Sequence, residues 1–128
     1  PGHAILNMKN VTLKTLPKYP LLLRETGSGT REIFDYAMRI RGLAYQPIWE
    51  SVSTQALVQG VRNGIGLSVL PEKMVEEDLR RHNVCAVPIK EKLLSREYCV
   101  ITHKHKHLSD EASALIDLIK QEEKSCIS

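Results

Sequence analysis

The sequence has few cysteines, few aromatic residues and no long apolar run. Its three cysteines, Cys85, Cys99 and Cys126, are odd in number and lack CxxC spacing, which excludes a disulfide framework and favours reduced thiols in the cytoplasm. No apolar stretch approaches the roughly 20 residues of a membrane-spanning helix. The N-terminal residues lack a basic start followed by an apolar block, which is the pattern that indicates a secretion signal. The absence of repeats and composition bias excludes collagen-like, coiled-coil and low-complexity chains.

The remaining composition is that of one ordinary domain, or one and a fraction. The chain has 128 residues, of which 42% are hydrophobic, and 18 basic against 15 acidic residues give a formal charge of +3. This mild excess is typical of a solvated surface, because no helical segment carries a continuous basic face for nucleic acid. The chain begins with Pro1 rather than Met, so we expect a piece of a longer protein.

Short apolar runs alternate with segments of helical periodicity through most of the chain. This order predicts an α/β fold with a mainly parallel sheet and helices on its faces. A single helical turn is predicted at 12–16, and capping residues precede the helical segments. The predicted strands cover 21–23, 46–52, 67–70, 84–89 and 97–102, and the predicted helices follow Thr30, Ser53 or Thr54, Pro71 and Ser109.

In parallel sheets, ligands bind beyond the carboxyl ends of the strands, where turns lead into helices. The turn Gly27-Ser28-Gly29-Thr30-Arg31 offers backbone N–H groups, two hydroxyls and a charge at a helix start, which suits a small carboxylate or oxyanion. It lacks the Gly-Lys-Ser/Thr of a Walker loop and the third glycine of a dinucleotide fingerprint. Ordinary capping of the helix explains the same residues.

Two other turns are candidates. The stretch 51–54, with Ser53 and Thr54, repeats the hydroxyl-rich helix start, and two such starts in one sheet can converge on one anion. Ordinary capping explains this turn equally well. Gly66 and Leu67, in the turn 64–67, could bring backbone close to a ligand, but a helix end followed by a strand accounts for them too.

No catalytic or metal-binding constellation is apparent. The segment 103–107 alternates histidine with lysine, and the lysines repel a cation, so we favour a solvated loop over a metal site. No GxSxG is present, and no serine is paired with a histidine. We therefore predict neither an enzyme nor a protein with a metal or other cofactor.

Three long segments together resemble the effector-binding domain of LysR-type transcriptional regulators. They read LLLRETGSGTREIFDYAMRIRG from Leu21, ESVSTQALVQGVRNGIGLSVLPEKMVEEDL from Glu50, and EYCVITHKHKHLSDEASALIDLIK from Glu97. The likeness extends from about Val11 to Lys120. It implies a fold like type 2 periplasmic binding proteins, with two α/β subdomains around a cleft.

The resemblance also implies a division of the chain. Residues 1–18 are a remnant and crossover from the first subdomain, 19–89 are the complete second subdomain, and 90–128 are the return strand and C-terminal helix of an incomplete first one. The DNA-binding winged helix-turn-helix is absent, so promoter DNA is contacted only through a missing N-terminal domain. Apolar surface intended for the missing part is expected to promote self-association.

The family binds its effector, often an anion or small organic acid, between the subdomains. By position, the resemblance implies that one turn contributes Ser28, Gly29 and Thr30, the next contributes Ser53 and Thr54, and Gly66 and Leu67 flank the cleft. It implies a cytoplasmic homo-oligomer with no membrane contact. A solute-binding protein of a transport system with the same fold is the alternative, and an enzyme of this fold is a third possibility that lacks a visible acid or base.

Overall fold

A computed structural model describes residues 2–91, 100–102, 104–105 and 107–125. The chain forms two compact units, residues 1–96 and 97–128. Among the described residues, the strands, two 3-10 helices and three α-helices lie in the first unit, and a fourth α-helix lies in the second. The division into 1–18, 19–89 and 90–128 implied by the resemblance remains a prediction.

The first unit is built on a parallel sheet of three strands. The strands are β1 (Leu21–Arg24), β2 (Trp49–Ser51) and β3 (Leu67–Ser68), in the order β2-β1-β3. Three consecutive leucines form the central strand because a strand covered on both faces buries every side chain, and all three are at most 1% exposed. Arg24 pairs with Ser51 and Leu21 pairs with Leu67, which sets the register. The predicted α/β fold with a mainly parallel sheet is confirmed.

Each strand of this sheet leads into a helix. The helices are α1 (Gly29–Arg39), α2 (Thr54–Arg62) and α3 (Glu72–Arg80). Ser28 and Ser53 are the N-caps of α1 and α2, because their hydroxyls accept hydrogen bonds from the third backbone N–H of each helix. Pro71 precedes α3 as its N-cap residue without a side-chain hydrogen bond. The predicted helices are therefore present, with α1 beginning at Gly29, within the turn expected to precede it, and with Ser53 rather than Thr54 as the cap of α2.

The core of this unit joins α1 and the sheet to the N-terminal segment. Phe34, Ala37 and Met38 of α1 pack with Leu21 and Leu23 of β1 in one buried cluster. The same cluster includes Ile5, Val11, Leu13 and Leu16, of which Ile5 belongs to a 3-10 helix at Ala4–Asn7. The segment 5–16 thus contributes to the same core as β1 and α1.

Several predicted strands are shorter than expected or absent. The strand predicted at 46–52 covers only Trp49–Ser51, and the one predicted at 67–70 covers only Leu67–Ser68. Residues 84–89 form a single bridge between Ile89 and Val11 instead of a strand. Pro88 has no backbone N–H to donate within that run, which weakens any ladder there. The predicted turn at 12–16 is a turn leading into a 3-10 helix at Leu16–Lys18.

The second unit contains α4 (Asp110–Ser125). Ser109 accepts a hydrogen bond from the backbone N–H of Ala112 at 3.3 Å, so the predicted cap is correct. Half of the strand predicted at 97–102, residues 97–99, lies outside the described residues, and 100–102 do not form a strand. Cys99, Cys126, His103 and Lys106 also lie outside the described residues.

Candidate functional site

The first two candidate turns lie side by side at the carboxyl edge of the sheet. Arg24 and Ser51 are register partners at the ends of β1 and β2, and each is followed by a short turn and a helix. In the first turn Gly27 has a φ of 92°, a left-handed conformation that favours glycine. The N–H groups of Gly29 and Thr30 are the first two of α1, so neither has a partner within the helix.

Both capping serines are engaged with their own helices. Ser28 Oγ accepts from the N–H of Arg31 at 3.1 Å, and Ser53 Oγ accepts from the N–H of Ala56 at 3.2 Å. Both serines therefore cap their helices, which is the alternative to ligand binding that the sequence left open for these turns. A serine hydroxyl that accepts such a bond still has its O–H proton to donate, so capping leaves each serine able to bind a ligand oxygen.

Arg24 connects the two turns. Its Nη1 donates to Thr54 Oγ1 at 3.3 Å, while its Nε and Nη2 donate to the two carboxylate oxygens of Glu25 at 2.8 and 3.0 Å. This side-chain pairing lowers the pKa of Glu25 below its usual value. Thr30 and Thr54 therefore sit at neighbouring helix starts, with a guanidinium that contacts the second of them.

Arg31, expected from the sequence to offer a free charge to a ligand, is instead buried within the fold. Its Nε donates to Asp35 at 2.8 Å and to the Tyr45 hydroxyl at 3.0 Å, and its Nη1 donates to Glu50 at 2.9 Å and to the carbonyl of Arg24 at 3.0 Å. The residue is 8% exposed. Because its hydrogen bonds are made inside the protein, Arg31 holds β1, β2 and α1 together rather than facing a ligand.

The same network shifts two pKa values. Burial alone would lower the pKa of Arg31, but the hydrogen bonds to Glu50, Asp35 and Tyr45 outweigh it and the pKa is raised. Burial raises the pKa of Tyr45 to about 12, and the hydrogen bond that its hydroxyl donates to Asp35 adds to the effect. The guanidinium also lies over the Tyr45 ring, 5.6 Å from its centroid.

The third candidate turn lies at the opposite end of the sheet. The N–H of Leu67 donates to the carbonyl of Pro20 at 2.9 Å, and Leu67 is the register partner of Leu21, the first residue of β1. Gly66 therefore precedes β3 and Leu67 begins it, about 10 Å along the strands from Arg24. The structure brings Ser28, Gly29, Thr30, Ser53 and Thr54 to one edge and places Gly66 and Leu67 at the other.

Gly66 has a packing role where it stands. A Cβ atom at this position would lie 2.3 Å from the Pro20 carbonyl oxygen and 2.7 Å from Leu22 Cδ1. No real side chain tolerates such distances. The glycine is therefore required for β3 to approach β1 closely enough to pair.

The charges around the two turns nearly cancel. Arg24 and Arg31 carry positive charge, whereas Glu25, Asp35 and Glu50 carry negative charge in the same networks. Any preference for an anion therefore rests on the two helix N-termini, with their N–H and hydroxyl donors, rather than on net side-chain charge.

Comparison with known proteins decides the family. The model of the LysR substrate binding domain matches residues 1–124. The chain belongs to the LysR substrate-binding domain family. The resemblance read from the sequence is thereby confirmed, and the chain is a LysR substrate-binding domain of the kind found in transcriptional regulators.

The similar curated proteins are transcriptional regulators. The domain is 35% identical over 107 residues to the uncharacterized HTH-type transcriptional regulator YeiE of Escherichia coli K12, covering 84% of this chain and 36% of that protein. It is 30% identical over 99 residues to the HTH-type regulator CysL of Bacillus subtilis strain 168, covering 77% of this chain and 33% of that protein. The LysR domain thus spans about a third of each of these relatives. They support the regulator hypothesis, and nothing in them supports the transport alternative.

A solved structure supports the fold. The regulatory domain of CcmR from Synechocystis PCC6803, solved in complex with 2-PG, superposes with a TM-score of 0.78 at 24% identity. The match covers 91% of this chain and 56% of that one. The LysR domain therefore has the periplasmic-binding-protein-like architecture that the sequence predicts.

Two absences are stated only of the described part of the LysR domain. Within 2–91, 100–102, 104–105 and 107–125, no cluster of three or more His, Cys, Asp or Glu side chains is arranged to hold a metal ion. Among the helices of these residues, none is long and apolar enough to cross a membrane.

Sequence reasoning missed the role of Arg24. The residue follows three buried leucines and ends the central strand, which places it at the ligand-binding edge of a parallel sheet. This position in the sequence could have indicated that Arg24 lies near a ligand. Its partner Thr54 lies 30 residues away, so only the fold shows the contact.

Proposed function

We propose that this domain is the effector-sensing part of a longer LysR-type transcriptional regulator. Its effector is a small anion or small organic acid bound at the turns that follow β1 and β2. The observation that supports this most is the contact between the two turns: Arg24, at the end of β1, donates to Thr54 at the start of α2 at 3.3 Å. Two helix N-termini therefore face one region at the carboxyl edge of the sheet.

The chemistry of this region suits a carboxylate or an oxyanion. Gly29 and Thr30 supply backbone N–H groups at the start of α1, and the hydroxyls of Ser28, Thr30 and Ser53 supply O–H donors. The Thr54 hydroxyl accepts from Arg24 and donates to Met74 Sδ at 4.0 Å, a weak acceptor that a ligand oxygen can replace. Glu25 is held as a paired carboxylate and the region has no histidine or cysteine. The proposed activity is therefore binding without catalysis. The CcmR regulatory domain, which has the same fold, was solved in complex with 2-PG, which is consistent with a small-molecule effector here.

The remaining parts of the proposal follow from the family. Effector binding favours one conformation of the domain, and this shift in population changes how subunits of a homo-oligomer pack on promoter DNA. DNA is contacted through a winged helix-turn-helix outside this chain, in the cytoplasm. Gly66 and Leu67, predicted to flank the cleft, are not included in this half of the pocket, because they lie at the other end of β3.

Isothermal titration calorimetry on the full-length regulator tests the proposal. The probes are 2-PG, acetate and inorganic phosphate. For whichever probe binds, Thr30→Val and Thr54→Val should each weaken binding about tenfold, since each removes one hydroxyl donor to a charged oxygen and keeps the shape. Thr12→Val is the matched control, because Thr12 carries a part-buried hydroxyl outside both turns.

Equal affinities for all four proteins would contradict the assigned site. Binding of none of the probes to a folded regulator, together with tight binding of an uncharged molecule, would contradict the anion class. Circular dichroism of each variant confirms that a lost signal reflects binding rather than unfolding.

A further inference from the structure

Arg24 is a cation at the carboxyl edge whose carboxylate partner can be exchanged. Among the described residues, its ion-pair partner is Glu25, the next residue in the chain, whose side chain is 34% exposed. Arg31, in contrast, is buried and is held by Asp35 of α1 and Glu50 of β2. Ion pairs that are open to solvent contribute little to stability, so the bond between Arg24 and Glu25 costs little free energy to break.

The Glu25 carboxylate is held as a bound carboxylate ligand would be. Its two oxygens accept from Nε and Nη2 of Arg24 at 2.8 and 3.0 Å, which is the paired arrangement in which a guanidinium binds a carboxylate most strongly. The pair lies next to the start of α2, because Nη1 of the same guanidinium donates to Thr54 at 3.3 Å. A carboxylate group therefore already occupies Arg24 at the edge where we place the effector.

Arg24 is held in place by contacts that do not involve Glu25. Its Nη1 donates to Thr54, and its carbonyl accepts from the buried Arg31 at 3.0 Å, which fixes the end of β1. Glu25 follows β1 in the turn before α1, and its backbone carbonyl closes that turn by accepting from the N–H of Ser28 at 3.2 Å. The Glu25 side chain can therefore rotate into solvent while the backbone of the turn stays in place.

We propose that Glu25 is a built-in competitor for the effector: a carboxylate of the effector replaces the Glu25 carboxylate on Nε and Nη2 of Arg24, and the displaced side chain turns into solvent. The inference rests on the proposed function and adds to it that the effector carries a carboxylate and that Arg24 anchors it. The guanidinium is paired with a carboxylate before and after the exchange, so no unpaired charge is left on it.

The competition also acts as a filter on ligands. Because Glu25 is attached to the same turn, its effective concentration at Arg24 is high, and a ligand that offers only a carboxylate binds weakly. Tight binding then requires further contacts with the N–H and hydroxyl donors of Thr30 and Thr54.

Amide NMR of the full chain, titrated with acetate, measures the competition. Acetate carries the same charged group as the Glu25 side chain, and the amide signals of Gly29, Thr30 and Thr54, the reporter signals, give its dissociation constant. Glu25→Gln should tighten acetate binding about three- to fivefold, the size of effect expected from removing an exposed ion pair. Acetamide, the uncharged analogue, should bind at least about tenfold more weakly than acetate.

Glu32→Gln is the matched control. Glu32 is an exposed carboxylate in the first turn of α1, whereas Arg24 bonds to Glu25 and Thr54. The variant removes the same charge from the same region without removing the competitor. It should change the affinity for acetate by less than about twofold, because exposed charges that are not in contact are screened by solvent and salt.

Arg24→Lys separates displacement from simple repulsion between Glu25 and the ligand. An ammonium keeps the charge but cannot hold a carboxylate through two parallel hydrogen bonds, so acetate should bind about five- to tenfold more weakly. In the Arg24→Lys background, Glu25→Gln should change the affinity by less than about twofold, because the paired competitor is already lost. Repulsion alone would give the same gain in both backgrounds.

The inference is overturned if acetate moves the reporter signals but Glu25→Gln tightens its binding no more than Glu32→Gln does. An equal gain from Glu25→Gln in the Arg24→Lys background would also overturn it, and if Arg24→Lys does not fold, the comparison with Glu32→Gln decides. Both outcomes leave the effector site in place. Reporter signals that acetate moves in neither the native protein nor Glu25→Gln would overturn the inference, and the site fails with it if inorganic phosphate does not move them either. Acetate binding that appears only in Glu25→Gln would support the competition.

Discussion

At the scale of single residues, Arg31 shows why a motif and its role can differ. From the sequence, the charge after Gly-Ser-Gly-Thr predicts a ligand contact, and only Asp35, four residues on, is recognisable as a competing partner. The other partners, Tyr45 and Glu50, lie 14 and 19 residues away and meet Arg31 only when α1 packs on the sheet. The buried guanidinium therefore belongs to the framework of the site.

Replacing Arg31 tests that framework role. Arg31→Met should lower the free energy of unfolding by about 2 kcal/mol, because Asp35 and Glu50 lose a charge-assisted partner but remain about 40% exposed and partly hydrated. Arg31→Lys should recover only part of the loss, since an ammonium cannot span both carboxylates. Urea unfolding measures both variants, and an unchanged midpoint for Arg31→Met would contradict the role.

Tyr45 gives this network a pH dependence. Its pKa is raised to about 12 from 10.0 by burial and by the bond to Asp35. As pH rises, the Tyr45 hydroxyl therefore loses its proton in the unfolded chain before it does so in the folded one. The contribution of Tyr45 to the free energy of unfolding is complete below pH 10 and declines between pH 10 and 12. The stability difference between the native protein and Tyr45→Phe should narrow over that interval in urea unfolding curves. A stability difference between the two proteins that does not change with pH would contradict the raised pKa of Tyr45.

At the scale of elements, local chemistry predicted helix starts better than strand lengths. Ser109 caps its helix as expected, and of the hydroxyl residues expected at the other two starts Ser28 and Ser53 are the caps, because capping needs only a hydroxyl and the next three residues. A strand needs a partner, and the sequence does not show which partner is present. The run 84–89 therefore looked like a strand although the structure pairs it at Ile89 alone.

The pairing of β3 depends on the absence of a side chain at Gly66. Gly66→Ala should destabilise the protein by about 2 kcal/mol or more, since its Cβ would overlap the Pro20 carbonyl at 2.3 Å. Ile65→Ala is the control, because Ile65 is 46% exposed and should change stability by less than about 1 kcal/mol. Thermal unfolding of both variants measures the two losses of stability. Equal losses would show that β3 does not need a glycine at position 66 to approach β1.

At the scale of the whole molecule, the fold and the family could be predicted from the sequence, but the relative positions of the three candidate turns could be predicted only in part. The combined pattern of the three long segments indicated the LysR domain, which the family model confirms over residues 1–124. The sequence also pointed to the turns at Ser28–Thr30 and Ser53–Thr54. It could not show that Gly66 precedes its strand, because strand direction and register are properties of the folded sheet.

The central claim is that the turns after β1 and β2 form the effector half-site. Amide NMR of the full chain, titrated with 2-PG and then with inorganic phosphate, tests it most directly. We expect saturable shifts of the Gly29, Thr30 and Thr54 amide signals, with little change at Gly66 and Leu67. Saturable shifts at Gly66 and Leu67 with the Gly29, Thr30 and Thr54 amide signals unmoved would contradict the account.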